Sequence, residues 1–145
     1  MAKRTASTTI YFDGLCEPNP GGIATYGYVI SRGGKTLEEG GGAVTGEETT
    51  NNIAEYTGLV RALERAVALG LTVGAVKVFG DSKLVISQVT GEWRVRDRKL
   101  APLYLAARAL VEKFERPTLS WVPREQNKEA DRLSYEAYVR VLASR

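Results

Sequence analysis

The stretch TIYFDGLCEPNPGG, residues 9–22, decides how the chain is read. Its first residues are β-branched and aromatic, and its last are Gly, Pro and Asn. This composition predicts a strand over 8–12 followed by a turn. Asp13 then stands at the strand tip. A carboxylate there either makes an Asx turn with Gly14 or belongs to a site.

Working outward, IATYGYVISRGG (23–34) alternates and ends in a Gly pair, and KTLEEGGGAV (35–44) reads as a further strand. Three strands joined by short turns form an antiparallel meander. In TTNNIAEYTGLVRALERAVALG, the residues Ile53, Tyr56, Val60, Leu63 and Val67 recur at steps of three and four. They make one apolar helical stripe that ends before Gly70. VGAVKVFGD (73–81) is nearly continuous in apolar residues and predicts a strand buried on both faces. SKLVISQVTG is a short helix stopped by Gly91. Leu100, Leu103, Tyr104, Ala107, Leu110, Val111 and Phe114 mark a helix over 99–114, and TLSWV (118–122) is the last strand. Asn127 is placed as the N-cap of a final helix with Ala130, Leu133, Ala137 and Val141 inward. The order βββαβααβα, without internal repeat or linker, predicts a single α/β domain over residues 1–145: one mixed sheet with helices packed on it.

The composition narrows the chemistry. Hydrophobic residues make up 43% and charged residues 26% of the 145, as in ordinary globular proteins. No apolar stretch is long enough to span a bilayer, and MAKRTASTT lacks the apolar core of a secretory signal. Cys16 is the single cysteine, which fits a reducing cytoplasm, and the lack of a long apolar stretch predicts no membrane partner. The chain contains no histidine, which removes Ser-His-Asp and Cys-His catalysis and most zinc sites. Any catalysis must come from carboxylates, hydroxyls, Lys/Arg, or metals held by oxygen. The net charge of +3 is compatible with a polyanionic partner.

Four acids fall at or near element ends. Asp13 and Asp81 each close a strand, and ligands of α/β sheets gather at the carboxyl ends of strands. If those strands are parallel neighbours, the two aspartates sit side by side. Glu55 opens the first long helix and Asp131 the last. Each acid also has a local reading. Glu55 completes a capping box with Asn52, Asp81 caps the next helix with Ser82, and Asp131 complements a helix dipole. Jointly they point elsewhere: clustered carboxylates repel unless a cation neutralises them, and all-oxygen ligand sets suit Mg²⁺ and Mn²⁺. Two such ions support phosphodiester hydrolysis without histidine or cysteine.

FDGLCEPNPGG, TTNNIAEYTGLVRALE, GDSKLVISQVTGEW and WVPREQNKEADRLS, in that order along nearly the whole chain, resemble the type 1 ribonuclease H family. The resemblance implies a five-stranded mixed sheet with helices on both faces. It implies metal-dependent endonucleolytic cleavage of the RNA strand of RNA–DNA hybrids, leaving 5′-phosphate and 3′-hydroxyl ends, with two Mg²⁺ or Mn²⁺ ions in the substrate complex. Asp13, Glu55, Asp81 and Asp131 match the metal-binding acids. Gly14, Cys16 and Asn19 match the segment that passes along the substrate, where 2′-hydroxyls distinguish RNA from DNA. Asn52 matches a minor-groove contact, and Asn51 and Thr50 match contacts to the DNA strand. Helix capping is a second role open to these three. Trp93 matches an aromatic packed on a DNA sugar, with a core tryptophan as the alternative.

Three departures stand out. After TGEW the chain passes straight into the next helix, without the basic protrusion of well-known bacterial members. Arg94, Arg96, Arg98 and Lys99 are what remains for phosphate attraction. The loop before Asp131 has no histidine and is short. Arg124 in it either reaches the scissile phosphate as a catalytic group or pairs with a nearby acid, and it cannot shuttle a proton. Lys83 stands where many relatives have glutamine, so backbone contact replaces base-edge contact. The expected protein is a monomeric hybrid-cleaving nuclease. The alternatives are a broader enzyme that also cuts double-stranded RNA and a hybrid-binding module without catalysis.

Overall fold

The computed structural model describes residues 7–46 and 48–145. Residues 1–6, on which the reading of the N-terminus rests, lie outside that range. The strands are β1 (Thr8–Glu17), β2 (Ile23–Arg32), β3 (Lys35–Ala43), β4 (Ala75–Gly80) and β5 (Arg116–Trp121). They form one sheet in the order β3-β2-β1-β4-β5. The first three pair antiparallel, as the short connections require, whereas β1–β4 and β4–β5 are parallel. The helices are α1 (Asn51–Ala68), α2 (Lys83–Val89), α3 (Ala101–Val111) and α4 (Lys128–Ala143). Among the described residues, no helix is long and apolar enough to cross a membrane.

The central strand departs from its expected end. β1 runs on to Glu17, because residues 13–17 keep the antiparallel ladder with β2, from Asp13 opposite Gly27 to Glu17 opposite Ile23. The parallel ladder with β4 stops at Phe12 opposite Gly80. Asp13 therefore lies inside a strand, at the point where one of that strand's two edges opens. Cross-strand pairing has overridden the weak strand preference of Gly14.

Helix α1 is capped by Thr50, whose hydroxyl accepts from the Ile53 N–H at 3.1 Å, and not by Asn52. Glu55 thus falls in the second turn and forms no capping box. The buried face of α1 is wider than one stripe, since it packs on β1 and β2 and also on α3. With α2 and α3 it encloses the main core of Phe12, Tyr56, Leu59, Leu63, Val78 and Val85.

On the opposite face lies α4, packed on β2, β3 and β1 through Ala130, Leu133 and Ala137. The close approach depends on Gly27, where a Cβ would stand 2.5 Å from the Ser134 nitrogen. Thr25 Oγ1 ties the pair by donating to the Ser134 carbonyl at 2.7 Å. Because α4 covers that part of the sheet, β4 is not buried on both faces as its apolar run predicts. Val76, Val78 and Gly80 are buried, Lys77 is exposed, and Phe79 stacks on Tyr11 at 5.0 Å.

Candidate active site

The site is built where the parallel ladder ends. Asp81 immediately follows β4, beside Asp13 on β1. Glu55 reaches the same point from α1 because Gly14 lets the helix backbone lie against the strand. A Cβ on Gly14 would fall inside the backbone of Ala54 and Glu55. Asp13, Glu55 and Asp81 each bring a carboxylate oxygen within 4.8 Å of the others. They line an open cleft of about 500 Å³ together with Gly14, Cys16, Asn19, Asn51, Asn52, Arg124 and Asp131.

The electrostatics of the triad are unfavourable without a cation. Burial, reinforced by the Asp81 charge, pushes the Asp13 carboxyl up to about 7. Burial lifts Glu55 well above the ordinary carboxylate range, with the charges of Asp13 and Asp81 adding to it. Glu55 is only 8% exposed, and its Oε1 is buried without a hydrogen-bond partner. Burial also raises Asp81, against the hydrogen bond from Asn127 that holds it down. An orphaned carboxylate oxygen beside two more carboxylates is a set of hard oxygen donors, the kind that divalent cations take. The residues fit a divalent metal.

Asp131 stands apart from this triad. It lies in the first turn of α4, with Oδ1 3.8 Å from Arg124 Nη2. Arg124 has 77% of its side chain exposed and also lines the cleft, so the ion pair and a cleft-facing guanidinium coexist.

Asn127 is not the side-chain cap expected of it. Its amide, in a residue only 1% exposed, donates to the Phe12 carbonyl at 2.8 Å and to Asp81 Oδ2 at 3.3 Å. The Phe12 carbonyl is where β1 loses its β4 partner, and a buried carbonyl needs a donor. Asn127 therefore joins the sheet break, the start of α4 and the orientation of Asp81. Asn127→Ala is expected to lower the unfolding free energy by about 1–3 kcal/mol, the cost of a buried acceptor left unpaired. It should also weaken divalent-ion binding. Urea unfolding in EDTA and a calorimetric metal titration measure the two effects.

The substrate-side residues divide into two groups. Cys16, Asn19 and Asn51 form a wired edge. The Cys16 N–H donates to Asn51 Oδ1 at 2.8 Å, and the Asn51 N–H donates to Asn19 Oδ1 at 3.0 Å. The Cys16 thiol itself is buried with Ala24 and Ala54. Asn52 is exposed on the same wall. Thr50, Lys83 and Trp93 do not line the cleft. Thr50 is occupied as the α1 cap. Trp93 is 46% exposed, which rules out the core alternative, and it borders a separate hollow with Arg94 and Tyr104. Arg94, Arg96, Arg98 and Lys99 are exposed, and Lys99 pairs with Glu48 at 3.4 Å. Sequence reasoning missed Tyr135, which lines the cleft one helical turn past Asp131. The four-residue spacing from that acid was the available signal.

A "Reverse transcriptase-like" family model matches residues 11–137. A ribonuclease HI of Halobacterium salinarum is 39% identical over 127 residues, which are 88% of this chain and 62% of that protein. A bifunctional protein of Mycobacterium tuberculosis is 43% identical over 86% of this chain, but the match spans only 34% of the relative. This chain thus corresponds to a part of those longer relatives. The solved N-terminal ribonuclease H domain of the mycobacterial protein superposes with a TM-score of 0.87 at 39% identity, covering 97% of this chain and 99% of that one. LC11 ribonuclease H1, solved in complex with an RNA/DNA hybrid, superposes with a TM-score of 0.85 at 34% identity over 93% of this chain and 99% of its own. With its sheet order, its helices on both faces and its acids at the break between β1 and β4, this chain belongs to the type 1 ribonuclease H family.

Proposed function

We propose that the chain is an endoribonuclease that hydrolyses the RNA strand of RNA–DNA hybrids, giving 5′-phosphate and 3′-hydroxyl ends. The observation that carries the reading is the buried triad of Asp13, Glu55 and Asp81 on an open cleft, with the unpartnered Glu55 oxygen among them. The hybrid bound in the LC11 ribonuclease H1 structure supports the substrate.

In this reading Asp13, Glu55 and Asp81, with Asp131 at the rim, would hold two Mg²⁺ or Mn²⁺ ions. Bound there, such ions would supply an activated water and charge for the developing oxyanion. The protein's own residues do the positioning. Asp13 is fixed by the ladder to β2, Asp81 by Asn127, and Glu55 by the helix backbone against Gly14. Arg124, exposed on the cleft beside Asp131, binds the scissile phosphate as a permanent cation without moving a proton. Gly14, Cys16, Asn19, Asn51 and Asn52 carry the substrate along the cleft wall, with Thr50, Lys83 and Trp93 flanking it. The reading needs no residue from a second copy and is of a monomer, and the single buried Cys16 fits a reducing cytoplasm.

End-labelled RNA–DNA, RNA–RNA and DNA–DNA duplexes of one sequence, incubated with Mg²⁺, Mn²⁺ or EDTA, test the reading. Cutting of only the RNA strand in the hybrid, lost in EDTA, is the expected result. Cutting of RNA–RNA as well moves the chain to a broader endoribonuclease. Binding of the hybrid without cutting in either metal leaves a binding module and sinks the proposal.

A further inference from the structure

We infer that Trp121 and Lys83 form an accessory subsite for the cleaved strand at the Asp81 edge of the cleft, taking a ribose on the indole and the neighbouring phosphate on the ammonium. The inference rests on the nuclease reading above and adds Trp121, which that reading does not use, as the partner that places Lys83.

Trp121 is the last residue of β5, in register with Gly80, so its side chain reaches the segment that carries Asp81. Its indole Nε1–H donates to the Asp81 carbonyl at 3.0 Å, which satisfies its one polar group and fixes the ring. The residue nevertheless remains 45% exposed, a large apolar surface left open beside the acids. The Lys83 ammonium stands 5.4 Å from the ring centroid, within cation–π range. Among the described residues, no carboxylate forms an ion pair with it. The exposed pair therefore presents a flat apolar face and an unneutralised cation side by side, next to Asp81 and Ser82 of the cleft wall. An aromatic face accepts nucleic acid whatever its sequence, and lysine adds phosphate attraction that weakens with salt. In a duplex the bases are stacked away, so the sugar edge is what an indole at the cleft rim can cover. This arrangement also gives Lys83, which lies outside the cleft lining, a defined place on the substrate path.

The competing reading is that Trp121 acts only through its hydrogen bond to Asp81. Steady-state cleavage of the hybrid by Trp121→Phe, Trp121→Leu and Lys83→Ala separates the two, with thermal unfolding confirming the fold. Phenylalanine keeps a ring and loses the N–H. The subsite predicts that Trp121→Leu raises KM roughly tenfold with kcat within about twofold, while Trp121→Phe stays near wild type. Lys83→Ala should raise KM and flatten the slope of log affinity against log salt by about one. Phenylalanine and leucine equally impaired, with the loss in kcat, overturns the subsite in favour of positioning. Unchanged KM in all three variants overturns it too, while wild-type cleavage leaves the nuclease reading intact. Trp93→Phe leaves Trp121 as the sole tryptophan, and titration of that variant with the hybrid in EDTA reads the contact without catalysis. Quenching supports the subsite even if no duplex is cut, and an unchanged spectrum under saturating hybrid overturns it.

Discussion

Asp13→Asn is expected to abolish hybrid cleavage and, in the metal-free protein, to raise the unfolding temperature by several degrees. The activity loss, roughly a thousandfold or more, follows from removing one charged oxygen donor from the triad. The stability gain follows from the same geometry. The Asp13 carboxyl titrates at about 7 in the fold, chiefly through burial and the Asp81 charge, against an ordinary value of 3.8. Between those values the folded protein holds a proton that the unfolded chain has released. The contribution of Asp13 to stability is therefore greatest below about 4 and falls as pH rises toward about 7. An amide carries no charge to bury, so the variant loses most of that decline. Divalent metal should restore the wild type by binding the folded state alone, and should leave Asp13→Asn almost unmoved. Thermal unfolding from pH 4 to 8, with and without Mg²⁺, measures all of this. A lower unfolding temperature for the metal-free variant at pH 8 would contradict the account of a repulsive triad.

Gly14→Ala is expected to lower kcat about a hundredfold and to raise KM for the hybrid as well, because α1 carries Asn51 and Asn52 along with Glu55. The added Cβ meets the backbone of Ala54 and Glu55, not the end of a flexible side chain. Helix α1 must back away from β1, at an overpacking cost of about 1–3 kcal/mol. Glu55 moves with it. Misplacing a catalytic group by about 1 Å costs on the order of 10²-fold. Cleavage kinetics and the thermal midpoint, measured on the same preparation, test the linkage. A variant with normal kcat would show that Glu55 tolerates displacement and is not rigidly required.

How much of this was legible in the sequence varied with the range of the interaction concerned. Local patterns located the elements: the alternation in 23–32, the stripe from Ile53 to Val67, and the apolar run before Asp81. They fail where pairing takes over. TIYFDGL reads as strand and then turn, yet β1 continues to Glu17 because β2 supplies hydrogen-bond partners that no local signal encodes. The run in β4 reads as doubly buried, but α4 covers β2, β3 and β1, and Lys77 faces out.

The site shows the same division. Residue type narrowed the chemistry to carboxylates, hydroxyls, Lys/Arg or oxygen-held metals, and their place at element ends, with the family resemblance, singled out four of the acids. Only the folded chain could decide that three acids form a tight triad while Asp131 pairs with Arg124, since that depends on where the parallel ladder stops and how α4 begins. Asn127 makes the limit plain. Before a helix an asparagine reads as a cap, a contact within its own turn. Its amide instead reaches the Phe12 carbonyl and Asp81, far away along the chain, because a strand that loses its neighbour leaves a carbonyl needing a donor. Residue type and short-range periodicity were enough to set the elements and the class of chemistry. The tertiary structure decided the strand's true end, the grouping of the acids and the partners of buried polar groups, which follow from backbone pairing between segments distant in sequence.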